Sequence, residues 1–357
     1  MVKYLGSKRT LVGEIRRIVQ MFPEARTVID LFSGTSRVGH ALKSVGYRVL
    51  ANDHNTYAHL LAKCYVQADS EDIANEAQRL IHELNSIKGS PGYFTETFCV
   101  RARYFQPKNG ERVDAIRDEI ARKCLPPELE AVLIVSLMEA ADRVDSTTGV
   151  QMAYLKQWAQ RSNNRLELRL PAILPRATFG KSLALGLDVF DALQNLEADI
   201  AYIDPPYNQH SYLGNYHVWE TLARWDRPEV YGIACKRVDV KSRPSVFNSK
   251  ARFAQAMRRV IEEVKAPILI VSFNNEGFLT RETMEEMLSE KGEVSVLESD
   301  YRRYVGAQIG VYNPKGQRVG QVSHLRNKEY LYVVAPEKIK LPYGVATLHE
   351  KECAASA

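Results

Sequence analysis

Between Thr27 and Asp53 the chain reads as strand, glycine turn, helix and strand again, and few folds accommodate that order. Thr27-Val28-Ile29-Asp30-Leu31-Phe32 is a short apolar run that predicts a buried strand. The turn Ser33-Gly34-Thr35-Ser36 follows, then a helix from Arg37 to Val45 closed by Gly46, then a strand from Tyr47 to Asp53. A βαβ unit of this kind implies a mostly parallel sheet with helices on both faces. An amphipathic helix precedes it from Ser7 to Gln20, with Leu11, Ile15, Ile18 and Val19 on one face and Ser7 as its cap.

The strand–helix rhythm stops between about Lys63 and Gly180. Helical patterns run there from Glu71 to Leu84, Val113 to Lys123 and Pro127 to Ala141, separated by polar loops. Alternation resumes at Leu183, with strands at Asp199–Asp204, Ala266–Phe273 and Glu293–Leu297 and helices at Lys250–Val264 and Arg281–Lys291. A hairpin is expected from Arg303 to Ser323 about Asn313-Pro314-Lys315-Gly316, and a late strand from Lys328 to Val334. The division expected is a catalytic domain of residues 1–62 and 181–357 and a mainly helical insertion of residues 63–180. A chain of 357 residues is long enough for two such parts.

Composition excludes several classes. Apolar residues at 45% leave ample material for a core and rule out a disordered chain. No uncharged run approaches the ~18 apolar residues of a membrane span. Met1 to Arg9 lacks the apolar stretch of a secretory signal, so a cytoplasmic protein is expected. Cys64, Cys99, Cys124, Cys235 and Cys353 are scattered, which suits reduced thiols better than a disulfide framework or a zinc site. His210 and His217 have no second ligand cluster beside them, so no metal is expected.

Two constellations carry chemistry. Asp30 and the turn Ser33-Gly34-Thr35-Ser36 sit where a parallel strand ends, and a turn of small residues lets backbone amides approach a ligand. Asp53 ends the next strand, about 20 residues beyond the turn, where an acid accepts hydrogen bonds from ribose hydroxyls. The turn is not Gly-x-Gly-x-x-Gly, which favours a nucleoside over a dinucleotide. The second constellation is Asp204-Pro205-Pro206-Tyr207, directly after a strand. The prolines stiffen the turn and have no N–H, which leaves carbonyls free beside the Asp204 carboxylate. An acceptor-only pair of this kind suits an exocyclic amino group with two hydrogens to give. Tyr207 adds a flat face on which a base can stack.

Together these residues resemble the Dam-like, alpha-ordered adenine-N6 DNA methyltransferases, modification enzymes of restriction–modification systems. Tyr4-Leu5-Gly6-Ser7-Lys8 is similar to that family's N-terminal cofactor motif, Asp30 to Ser36 to its first S-adenosylmethionine motif, and Asp204 to Tyr207 to its catalytic motif. Ser272 to Gly277, Tyr304 to Gly310 and Gly149 to Trp158 resemble further family segments. The family often has Phe-x-Gly-x-Gly, whereas the second glycine is Ser36 here. The resemblance implies a Rossmann-like S-adenosylmethionine-dependent fold, α/β with a mostly parallel seven-stranded sheet. It implies that Tyr4, Lys8, Asp30, Phe32, Ser33 and Gly34 lie about the methionine end of S-adenosyl-L-methionine. Asp53 would then hold the ribose, and Asp188 and Val189 would border the adenine.

The chemistry expected is a direct in-line methyl transfer. Hydrogen bonds from both amino hydrogens to Asp204 and the Pro205 carbonyl favour a tetrahedral nitrogen whose lone pair can meet the sulfonium methyl. The target lies inside a duplex, so the base must be flipped out, against Tyr207. The partner expected is double-stranded DNA, within a system that also contains a cognate endonuclease. Net charge is a modest +5, but basic residues cluster. Lys236, Arg237, Lys241, Arg243, Lys250, Arg252 and Arg258 face the single acid Asp239 in their stretch, and Arg302 to Lys328 has no acid at all. Arg243, Lys250, Arg302, Arg303, Lys315 and Arg318 are the expected phosphate and base-edge contacts. The insertion, with Arg101, Arg103, Lys108, Arg161, Arg165, Arg169 and Arg176, is the expected target-recognition region. Its Tyr93, Phe94, Tyr104 and Phe105 read as core. Cytosine-N4 transfer uses the same grip and is the alternative, followed by an RNA base methyltransferase and a catalytically silent DNA-binding relative.

Overall fold

Val28 and Ile29 are neighbours in one strand, and both are completely buried on opposite faces of a sheet. That double burial is what a continuous apolar run predicts for a central parallel strand. The computed structural model describes residues 1–4, 8–155, 157–209, 211–302, 326–339 and 341. Its strands are β1 (Thr27–Asp30), β2 (Arg48–Asn52), β3 (Leu183–Leu185), β4 (Ile200–Ile203), β5 (Val230–Tyr231), β6 (Lys236–Arg237), β7 (Ile268–Asn274), β8 (Glu293–Arg302) and β9 (Arg326–Ala335). Seven of them form one sheet in the order β3-β2-β1-β4-β7-β9-β8, and β5 and β6 make a separate small hairpin. Strands β3, β2, β1, β4 and β7 are parallel, while β9 enters antiparallel between β7 and β8.

The chain leaves β1 toward β2 and β3, then returns to place β4 on the other side of β1. The β1/β4 border is therefore the point where the winding reverses, and the crevice at the strands' carboxyl ends there is the natural ligand site of such a sheet. One face is covered by the helices Val189–Asn195, Lys250–Glu263 and Arg281–Ser289. The other is covered by Val12–Gln20 and Arg37–Lys43. Each fully buried Leu, Ile or Phe of these layers contributes about 1.5–3 kcal/mol relative to exposure.

A third apolar cluster lies in the helices Ser70–Ser86, Pro107–Arg122 and Pro127–Arg143. It extends beyond the expected insertion, to Tyr57 and Leu61 before it and to Tyr216, Trp219 and Leu222 after it. Phe94, Tyr104 and Phe105 are buried in it. The helix Pro107–Arg122 begins six residues before its expected start, because Pro107 opens it as a first-turn proline. Strand β8 runs past Leu297 to Arg302 and, paired with β9, forms one edge of the sheet. The loop expected as a hairpin, with Arg303, Lys315 and Arg318, lies outside the described residues, as do Leu5, Gly6, Ser7 and His210. Among the described residues no helix is long and apolar enough to cross a membrane.

Candidate active site

The first acid of the site comes from β1. Asp30, 1% exposed, accepts a hydrogen bond from the Gly39 backbone N–H at 3.1 Å. A Cβ on Gly39 would stand 3.2 Å from that carboxylate oxygen and 2.9 Å from Val66, so a glycine is needed for the helix to come this close. Burial, then the nearby Asp204, push the Asp30 carboxyl up to about 7, against the pull of Gly39. Between strand and helix, Gly34 has φ +50° and Ser36 has φ +59°. The position where the family often has a second glycine thus adopts the left-handed backbone that glycine favours, and Ser36 takes it at some cost in strain.

Asp53 clamps this turn to the next element. Its Oδ2 accepts from the Gly34 N–H at 2.9 Å, and its Oδ1 accepts from the Asn55 backbone N–H at 2.9 Å and the Asn55 side chain at 3.2 Å. Burial raises its pKa above the ordinary value, and the Asn55 and Gly34 donors oppose that rise. Tyr4 packs over Gly34 and is itself held in a stack, with ring centroids 4.4 Å from Tyr216 and 5.2 Å from Tyr212. The Tyr4 and Tyr57 hydroxyls are 3.1 Å apart.

The second acid comes from β4. Asp204 follows the strand directly, and Lys8 of the short helix Lys8–Thr10 lies 3.2 Å from its Oδ1. The same ammonium is 3.4 Å from Glu329 of β9. Burial raises the Asp204 carboxyl to about 6, Lys8 lowers it and Glu329 raises it. The Tyr207 ring packs edge-on against Phe273, with the Asn274 side-chain NH₂ donating to its hydroxyl at 3.1 Å.

These groups meet at one cavity of about 400 Å³, a size typical of small-molecule sites. Tyr4, Lys8, Asp30, Phe32, Ser33, Gly34, Asp53, Asp188, Val189, Asp204 and Pro206 all line it. Leu187, Phe190 and Phe247 complete an apolar wall, where Phe247 lies edge-on to Phe32 at 5.1 Å. Asp188 lines it as the cap of the helix Val189–Asn195, its Oδ1 accepting from the Phe190 N–H at 3.0 Å. Pro205 and Tyr207 are buried just behind the Asp204–Pro206 rim. The arrangement gathers the carboxylates of Asp30, Asp53 and Asp204 and an apolar wall around one cavity.

The basic stretch from Lys236 to Arg258 divides. Arg237 is buried, with both nitrogens on Asp226 at 2.7 Å and a further bond to Asp239. Arg243 lines the cavity and pairs with the fully buried Glu220 at 3.2 Å. Lys241 sits over the Tyr231 ring, and Arg258 pairs with Glu290. Lys250 and Arg252 are exposed. In the insertion, Arg161 is tied to Asp145 and Arg176 to Asp69 and Asp72. The Arg302 side chain is outside the described residues. His217 is buried with its Nε2 2.8 Å from the Gln151 carbonyl oxygen, and burial pushes its pKa down to about 3. The Gln151 side chain also accepts from the Val218 N–H at 3.0 Å, so Gln151 holds the first turn of the helix His217–Arg224.

Sequence reasoning missed Tyr57, Glu220 and Glu329. None has a local signature: each is a single polar residue in an ordinary helix or strand, and its partner comes from a distant part of the chain.

A family model for D12 class N6 adenine-specific DNA methyltransferases matches residues 4–284, most of the chain and every residue of the cavity. The chain belongs to this family. Among individual relatives, it is 30% identical over 327 residues to modification methylase StsI of Streptococcus sanguinis, covering 86% of this chain and 50% of the relative. It is 31% identical over 325 residues to the type II methyltransferase M.FokI of Planomicrobium okeanokoites, covering 85% and 50%. The chain therefore spans about half the length of these two relatives. With the type II methyltransferase M.NlaIII of Neisseria lactamica it shares 26% identity over 341 residues, which cover 92% of this chain and 100% of the relative.

Proposed function

We propose that this D12-class chain transfers a methyl group from S-adenosyl-L-methionine to the N6 amino group of an adenine flipped out of duplex DNA. The observation that carries the reading is that Asp204 opens onto the same cavity as Gly34 and Asp53.

The cavity suits the cofactor. The Ser33 hydroxyl is buried on its wall with no hydrogen-bond partner among the described residues. Asp30 accepts one backbone N–H there, although a carboxylate has about four acceptor positions. A cationic amino acid end would satisfy both groups, hydroxyls of a ribose would meet Asp53, and a purine would fit between Phe32, Val189 and Phe247. When bound, the cofactor would supply a methyl group activated on a sulfonium and would leave as the neutral thioether once its S–CH₃ bond is exchanged for the N–CH₃ bond.

Asp204 does the chain's central work. Mostly ionised above about pH 6, it accepts one amino hydrogen of the target base while the Pro205 carbonyl accepts the other. This holds the nitrogen lone pair toward the methyl carbon, so positioning and electrostatics supply the rate. As the nitrogen gains the methyl it becomes acidic, and Asp204 receives the proton it releases. Tyr207, anchored by Asn274, stiffens the floor behind the base. Lys250 and Arg252, both exposed, and the stretch from Arg302 to Lys328 supply phosphate contacts. The helical region of residues 63–180, with the helix His217–Arg224 that shares its core, carries target recognition. As a modification enzyme the chain protects a sequence that a companion endonuclease would cut, and no contact between the two proteins is required.

Methylation-aware sequencing of DNA from cells expressing the chain tests the reading. N6-methyladenine at one short recurrent sequence is the expected result. N4-methylcytosine there would transfer the same grip to the other base, and unmodified DNA would overturn the proposal.

A further inference from the structure

Lys8 presents a problem to the reaction just proposed. Its ammonium is 7% exposed and stands 3.2 Å from Asp204, the carboxylate that must be free to accept an amino hydrogen. A lysine at the surface could withdraw into water, but this one is enclosed. A buried ammonium deprived of its carboxylate is strongly destabilised.

We infer that Glu329 is a positioning residue for the transfer reaction, a second carboxylate onto which Lys8 moves when the substrate amine takes its place on Asp204. The inference rests on the functional reading above. Topology makes the position possible. Strand β9 runs antiparallel to β7, so its first residues lie at the edge where β4 and β7 end, and Glu329 pairs with Asn274 in register. Asn274 is the residue that anchors Tyr207. Glu329 thus reaches the back of the catalytic turn from a strand more than three hundred residues away from Lys8. Its side chain is 12% exposed, and Lys8 lies between the two acids at 3.2 and 3.4 Å.

Among the described residues, the groups facing this trio from the surrounding elements are Asp30 on β1, Tyr202 on β4, Tyr207 after it, and Tyr212. None is a cation, so removing the Glu329 charge leaves Asp204 as Lys8's remaining close carboxylate. The Lys8–Asp204 pair then tightens, and Asp204 becomes both less available and less basic, consistent with Glu329 raising its pKa.

The test is the pH dependence of kcat for E329Q with duplex DNA, with cofactor affinity measured by calorimetry. The expected result is a kcat about tenfold lower, an acidic limb moved from about pH 6 to lower pH by about one unit, and unchanged cofactor affinity. E329D, which keeps the charge but draws it back, should shift the limb less. A merely structural role would lower activity or stability without moving the limb, and that outcome overturns the inference. So does an E329Q profile superimposable on the parent. If E329Q does not fold, an unmoved limb in E329D overturns it. An active parent with an indifferent E329Q rejects this inference alone, whereas a parent inactive on every DNA rejects the functional reading beneath it.

Discussion

In the helical layer Asp69 is sealed from water with Lys43, itself fully buried, at 2.8 Å, Arg176 at 2.9 Å and Lys181 at 3.1 Å. At the strand tips Asp30 is equally sealed, yet accepts one backbone N–H. Burial would raise the Asp69 carboxyl, but its three cations more than reverse this and hold it below the ordinary value. Asp30 and Asp204 move the other way, to about 7 and about 6. Asp114 has as many partners as Asp69, accepting from the N–H groups of Gly92, Phe94 and Thr95 and from the Thr95 hydroxyl. The saturated Asp69 and Asp114 fasten the helical layer to the rest, whereas Asp30 and Asp204, with fewer partners, converge on the cavity. Between these two pairs, partner saturation more than burial separates structural charge from the charge at the cavity.

The comparison can be broken at either end. Asp69→Ala strands Lys43 without its carboxylate and should cost about 3–5 kcal/mol in urea unfolding, while the folded fraction keeps its methyl-transfer activity. A variant as stable as the parent would remove the structural half of the contrast. Asp30→Asn should act in the opposite direction. The native Asp30 pKa lies above its unfolded value of about 4, so its contribution to stability is full below that pH and is lost as pH rises through about 7. The ligand-free parent should therefore weaken between pH 5 and pH 8. Asp30→Asn should flatten that slope, gaining on the order of 2 kcal/mol at pH 8, and lose cofactor affinity. A slope unchanged by the substitution would show that burial does not raise the Asp30 carboxyl as stated.

Much of the sheet and of the cavity's lining could be read from the chain. The βαβ unit from Thr27 to Asp53 gave the parallel order, and the Asp204 turn after an apolar run gave the second strand tip. What sequence reading lacked is pairing across distance. A count of basic residues from Lys236 to Arg258 cannot see that Asp226 encloses Arg237 or that Glu220 holds Arg243, because those acids come from other elements. Glu329 is a lone acid in a strand, and its approach to Lys8 depends on β9 entering the sheet antiparallel, which no local pattern announces. The second family glycine shows the reverse case: the left-handed φ survives at Ser36 although the residue that eases it is gone.

In the proposed reaction Asp204 grips the target amine beside a cofactor seated over Gly34 and Asp53. Radiolabelled methyl transfer to duplex DNA and cofactor binding by calorimetry, measured in parallel for the parent and Asp204→Asn, test this grip. The expected variant folds and binds S-adenosyl-L-methionine but transfers at least ~10³-fold more slowly. Transfer within a few-fold of the parent would contradict it.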